Sequence, residues 1–200
     1  MKAWILALML HLSPQERWKS LPGHEETVGE RRARYESIAA DIATTVGEGD
    51  GIDRNRHQDA ALLVAVTFLE SGFQKDVDVG PCYRPSADSK RCDSGRAACL
   101  AQIRIRDGRT SEHTHGIGGL TQEDLFKDRK KCLAIAKHML RRSFRACAKD
   151  GPDARMDVYA SGRCGVGREE GKKRLKLAEK LMSLAIDKET GDKKIADKKK

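Results

Sequence analysis

The run from Ala60 to Leu69 constrains this chain most. It reads Ala-Ala-Leu-Leu-Val-Ala-Val-Thr-Phe-Leu and then meets Glu70. Apolar residues lie nearly all the way round, so as a helix it has to be enclosed by other elements. It predicts a buried helix. Glu70 closes that helix. Desolvation at such a place favours the protonated form of a carboxyl, which a general acid needs. The ordinary alternative is a helix-end Glu standing in water, as most do.

Periodicity around this run is helical. Over 31–46, Tyr35, Ile38, Ala39, Ile42 and Val46 recur at spacings of three and four. Gly47, Gly49 and Gly51 break that segment. The span 128–148 sets Cys132, Ile135, Ala136, Met139, Leu140, Phe144 and Cys147 on one face. Thr121 reads as an N-cap, with Gln122, Glu123 and Asp124 in the first turn. A short helix is expected over 153–160 after Gly151-Pro152, and a last amphipathic one over 171–186. The span 78–117 reads as a Cys-rich loop insertion, with a short helix or strand within 97–106. Residues 188–200 are Lys-rich and polar and read as a disordered tail. The first 12 residues form a short apolar run after Lys2. It is signal-peptide-like but too short to span a bilayer, and a packed N-terminal helix is the preferred reading, with Ser13 and Pro14 opening another. The expected organisation is an N-terminal helix and linker over 1–30, an all-α domain over 31–187, and the tail.

Six cysteines stand at 82, 92, 99, 132, 147 and 164, with no Cys-x-x-Cys pair. An even, widely spaced set points to disulfides and an oxidising compartment. His113 and His115 match no zinc spacing, so no metal or other cofactor is expected. On one helix, Cys132 and Cys147 would be roughly 22 Å apart, too far to bridge. At least one bridge is expected to tie the loop carrying Cys82, Cys92 and Cys99 to itself or to another cysteine. The formal net charge of +9 draws such a chain to polyanions. Aromatic residues make up only 4% and offer no base-stacking platform, which argues against nucleic acid.

Three segments in order carry a resemblance: Glu70-Ser71-Gly72-Phe73, Gly119-Leu120-Thr121-Gln122, and Tyr159-Ala160-Ser161-Gly162 with Gly165. Over about 38–182 the chain resembles the soluble lytic transglycosylase family, which shares the goose-type lysozyme fold. Thr121 stands where that family usually has Met, and Ala160 where it often has Asn. The resemblance implies a lysozyme-like helical domain that cleaves the MurNAc–GlcNAc bond of peptidoglycan with formation of a 1,6-anhydro ring. It implies Glu70 as acid and then base. Ser71 would bond to Glu70 or the sugar, Gly119, Leu120, Thr121 and Gln122 would line the cleft, and Tyr159 would contact Glu70 or the N-acetyl group. The implied partners are the glycan strand and the anionic wall surface, in a bacterial envelope or carried by a phage. A hydrolytic goose-type lysozyme is the near alternative. It needs a second carboxylate, for which Asp76, Asp78, Asp88 and Asp93 are within loop reach. An inactive wall-binding protein of the same fold is the other.

Overall fold

The computed structural model describes residues 1–15, 23–52, 55–80, 82 and 92–197, the stretch from 185 as backbone only. It is mainly helical, as expected, with one pair of two-residue strands among the described residues. Helix α3 (Arg56–Ser71) is the centre, and every residue from Ala60 to Val66 is buried. Asn55 caps its start by accepting from the His57 amide at 2.8 Å. Asp59 in the first turn is buried and accepts from the Ile52 amide at 2.8 Å, fixing the incoming loop.

Helix α1 (Lys2–Leu12) buries Ile5, Leu8 and Met9 and packs on α2 (Val28–Gly47) and α3. Ser13 Oγ meets the Tyr35 hydroxyl at 3.0 Å. The second helix expected from Ser13 and Pro14 falls mostly outside the described residues. Helix α2 begins three residues before the expected start, because Thr27 and Glu30 form a reciprocal capping box. A short α4 (Lys75–Val79) follows α3.

The insertion is more ordered than a loop. Its chain makes a single turn, α5 (Cys92–Gly95), in which Asp93 and Ser94 have positive φ. Strands β1 (Ala97–Ala98) and β2 (Ile103–Arg104) then pair antiparallel, Ala97 with Arg104 and Ala98 with Ile103. Helices α6 (Glu112–His115) and α7 (Gln122–Lys127) lead to α8 (Arg129–Ala146). After two 3-10 turns come α9 (Asp157–Ser161) and α10 (Arg168–Asp197).

Disulfides hold the periphery. Cys82–Cys92 closes the insertion on itself, Cys99–Cys132 ties the hairpin to α8, and Cys147–Cys164 joins the end of α8 to the loop before α10. The expectation of a bridge from the loop therefore holds, and Cys132 and Cys147 pair elsewhere. Asp78, its side chain fully buried, accepts from Arg129 Nε at 2.6 Å and pairs with Arg34 at 3.5 Å. Arg129 also meets Asp41 at 2.6 Å, so α2, α4 and α8 converge on one charge cluster. Lys137 donates to the carbonyls of Thr45 and Glu48, placing a cation at the α2 C-terminus.

The expected tail of 188–200 is described as backbone only, and only as far as 197. Helix α10 runs on to Asp197, ten residues past Asp187. Residues 188–197 contain no proline, and Lys, Glu and Ala favour the helix against the opposing preference of Gly191. Lys198, Lys199 and Lys200 lie outside the described residues. Among the described residues no helix is long and apolar enough to cross a membrane.

Candidate active site

The end of α3 delivers Glu70 to the surface of a cleft of about 510 Å³. The chain reverses at once, with Gly72 and Phe73 both at positive φ. A bulky residue in that region carries strain of order 1–3 kcal/mol, and Phe73 is held there by burial against Tyr35 and Phe68. The turn lets the helix stop with its last carboxylate at the rim.

Glu70 is 21% exposed and is paired: Arg174 Nη2 donates to its Oε1 at 2.6 Å. Arg174 comes from α10, which lies along α3. Arg174, Ala178 and Leu181 share one face of that helix (i, i+4, i+7), the latter two buried. The Arg174 guanidinium lies 5.9 Å above the Tyr159 ring. Tyr159 is set by α9, where its amide donates to Ser143 Oγ at 3.0 Å and its hydroxyl to the Ala101 carbonyl at 3.4 Å. Burial, helped by the Glu70 charge, pushes the Tyr159 phenol far above its ordinary range, so it remains a donor. Glu70, Tyr159 and Arg174 thus form one cluster lining the cleft.

Ser71 lines a smaller hollow that adjoins the cleft at Glu70, whereas the segment Gly119–Gln122 lies outside both. Ser71 Oγ donates to the Thr67 carbonyl at 2.6 Å and accepts from the Phe73 amide at 3.2 Å. It fastens the end of α3 and shows no bond to Glu70. Gly119 accepts from Arg109 through its carbonyl, and the Leu120 amide donates to Thr110 Oγ1 at 3.1 Å. Thr121 caps α7, as expected from the sequence. Gln122 Nε2 donates to the carbonyls of Gly95 and Ala97, bracing the hairpin. Thr121 and Gln122 border a separate depression that does not include Glu70. The polar side chains of the Gly119–Gln122 segment are thus engaged in bracing β1 and capping α7.

A second depression, about 240 Å³, shares Glu70 and Gln102 with the cleft, so the carboxylate stands between two hollows. Glu70 is the one carboxylate among the described residues lining either. Asp78 is buried in its ion pairs, Asp76 is buried, and Asp93 is exposed and pairs with Arg96 at 3.0 Å. Asp88 lies outside the described residues.

The opposite wall belongs to the hairpin and α8. Ile103 and Ile105 are buried while Gln102, Arg104 and Arg106 line the cleft, the alternation of an extended strand. Arg142 and Met139 of α8 complete that side. None of these, nor Arg174, is expected at the site from the sequence. The alternation in 102–106 and the charge on the apolar face of α10 are the signals that point to them.

His115 is buried at the cleft and accepts from the Ser111 amide through Nδ1 at 3.1 Å. Gly116 (φ +72) follows, and a Cβ there would lie 2.7 Å from the His138 ring. Burial holds His115 below its ordinary value, and His138 and Arg106 act in the same direction. Burial, then Arg142 and Arg141, does the same for His138. Both imidazoles therefore bind protons less readily in the folded chain than in the unfolded one. Their contribution to stability is full above about pH 6.5 and is lost as pH falls below it. Melting temperature should drop between pH 7 and pH 5, and a His115→Gln/His138→Gln variant should show a shallower drop. An unchanged slope in that variant would contradict the assignment. Among the described residues, the grouping of Cys147, Asp150 and Cys164 has the compactness of a metal site, but its two cysteines are bonded to each other and offer no thiolate.

No protein-family model, curated protein or solved structure matches the chain.

Proposed function

We propose that the protein is a peptidoglycan lytic transglycosylase with Glu70 as its single acid and base. The observation that carries this reading is the lone carboxylate between two adjoining hollows. A polymer can run past Glu70 on both sides, and no second carboxylate among the described residues lines either hollow to position water. Water-using glycosidases of the common type need that second group. The resemblance of the Glu70, Gly119 and Tyr159 segments supplies the substrate. The fold assignment to the goose-type lysozyme architecture belongs to the same proposal.

In this mechanism protonated Glu70 gives its proton to the oxygen between MurNAc and GlcNAc, and the C1–O bond breaks. The carboxylate then takes the proton from the C6 hydroxyl of the same MurNAc as O6 bonds to C1. The proton returns to Glu70, the ring closes as the 1,6-anhydro sugar, and water is not consumed. Arg174 holds Glu70 in the free enzyme, so the glycan has to draw the guanidinium away before the acid step. Tyr159, kept as a phenol, is placed to donate to the N-acetyl carbonyl or to Glu70. The disulfides suit an oxidising envelope compartment, or a phage particle that acts on one.

Mass spectrometry of sugars released from purified peptidoglycan tests the reading. Anhydro-muropeptides are expected. Reducing ends would instead assign a hydrolytic lysozyme, and no release would leave only a wall-binding protein.

A further inference from the structure

The cleft carries more positive charge than glycan cleavage requires. Arg104, Arg106, Arg142 and Arg174 line it, against the single carboxylate of Glu70. Arg174 is engaged with Glu70 and with the Glu170 carbonyl. Arg142 donates to the His113 carbonyl at 2.8 Å. The side chains of Arg104 and Arg106 are exposed and make no hydrogen bond or ion pair with the described residues. Burial of Ile103 and Ile105 fixes the strand between them, so both guanidiniums are aimed at one side by the backbone. Gln122 and the Cys99–Cys132 bridge hold that hairpin in place.

Guanidiniums with donors to spare, set along a cleft wall, are preorganised to take a planar anion through paired N–H donors. Neutral sugar hydroxyls do not call for them. We propose that Arg104, Arg106 and Arg142 form a carboxylate-binding wall that selects glycan bearing acidic groups, such as the lactyl or peptide-stem carboxylates of peptidoglycan, over neutral glycan of the same backbone. The carrier rests on the cleavage reading; the anion site itself rests on the arginines. A nucleic-acid phosphate is a poorer match, because Tyr159 is the one Phe, Tyr or Trp among the described residues lining the cleft and Arg174 lies over its ring, while the His115 imidazole is buried.

The test uses the full-length chain carrying Glu70→Gln, so that substrate persists. Its affinity for a soluble peptide-bearing glycan fragment is compared with that for a neutral chitooligosaccharide of equal length, by calorimetry. Adding Arg104→Gln and Arg106→Gln should weaken the acidic glycan about tenfold or more, as charge-assisted bonds are lost. The neutral oligosaccharide should bind as before, and Arg104→Lys/Arg106→Lys should recover part of the loss. Equal affinity for the acidic glycan with and without the arginines would overturn the proposal. So would equal losses for both glycans, or tighter Arg-dependent binding of a short oligonucleotide. Cleavage by the wild type with arginine-independent binding would sink the site and leave the enzyme reading intact. Arginine-dependent binding without any cleavage by the wild type would do the reverse.

Discussion

Glu70→Gln should reduce peptidoglycan cleavage at least about a hundredfold, the lower end of what general acid–base catalysis contributes. The amide cannot supply the proton, nor can it accept one from the C6 hydroxyl. Its oxygen can still accept from Arg174, and the surrounding helix is held by residues that the change leaves alone: Ala60 to Val66 below it and the Ser71 bonds beyond it. Melting temperature should therefore stay within a few degrees while released muropeptides vanish. A Gln variant keeping more than about one hundredth of the wild-type rate would remove Glu70 from the chemistry. The measurement needs insoluble peptidoglycan for turnover and a thermal melt on the same preparation.

Removing the Cys99–Cys132 bridge should be the costliest change to the scaffold. It closes a loop of 33 residues, and chain-entropy arguments assign such a closure about 3–4 kcal/mol. In a chain of this size that corresponds to a fall in melting temperature of roughly 7–15 °C. Cys82–Cys92 spans 10 residues, so its loss should cost less. A Cys99→Ala/Cys132→Ala variant should also lose activity beyond its loss of stability, because the hairpin carrying Gln102, Arg104 and Arg106 is anchored to α8 at Cys99. Oxidised protein melting alike with and without this bridge would show that the hairpin is held by packing alone.

The long helices are legible in the chain from the placing of their apolar residues. The buried run Ala60–Leu69 dictates the central helix, and Cys132 to Phe144 dictates α8. The start of α2 is not legible that way, because a capping box is a local exchange of two hydrogen bonds, here between Thr27 and Glu30, that leaves no apolar pattern. Glu70 and Tyr159 stand out in the sequence and do come together at the cleft. Arg174 does not stand out, since it lies 104 residues from Glu70 and only the packing of α10 on α3 makes them neighbours. Ser71 and Gln122 are expected at the cleft, but a side chain that can reach a substrate can equally reach a carbonyl, and spacing does not distinguish the two. The insertion shows little in sequence beyond its cysteines and the alternation over 102–106, since its order comes from disulfides and from two-residue strands.

The ion pair between Arg174 and Glu70 joins two elements that also share the core. Helix α10 contributes Ala178 and Leu181 to the buried face above α3, and the same helix brings the guanidinium to the rim. Local opening of that helix end is one way to release the carboxylate. If the first turns of α10 open locally, with a free energy well below that of global unfolding, Glu70 is unmasked while the centre of the protein stays closed. Amide exchange in 168–176 then reports on the same motion that readies the acid. On the proposed mechanism, local opening of this helix end and displacement of the guanidinium by the glycan are two routes to the same unmasked Glu70.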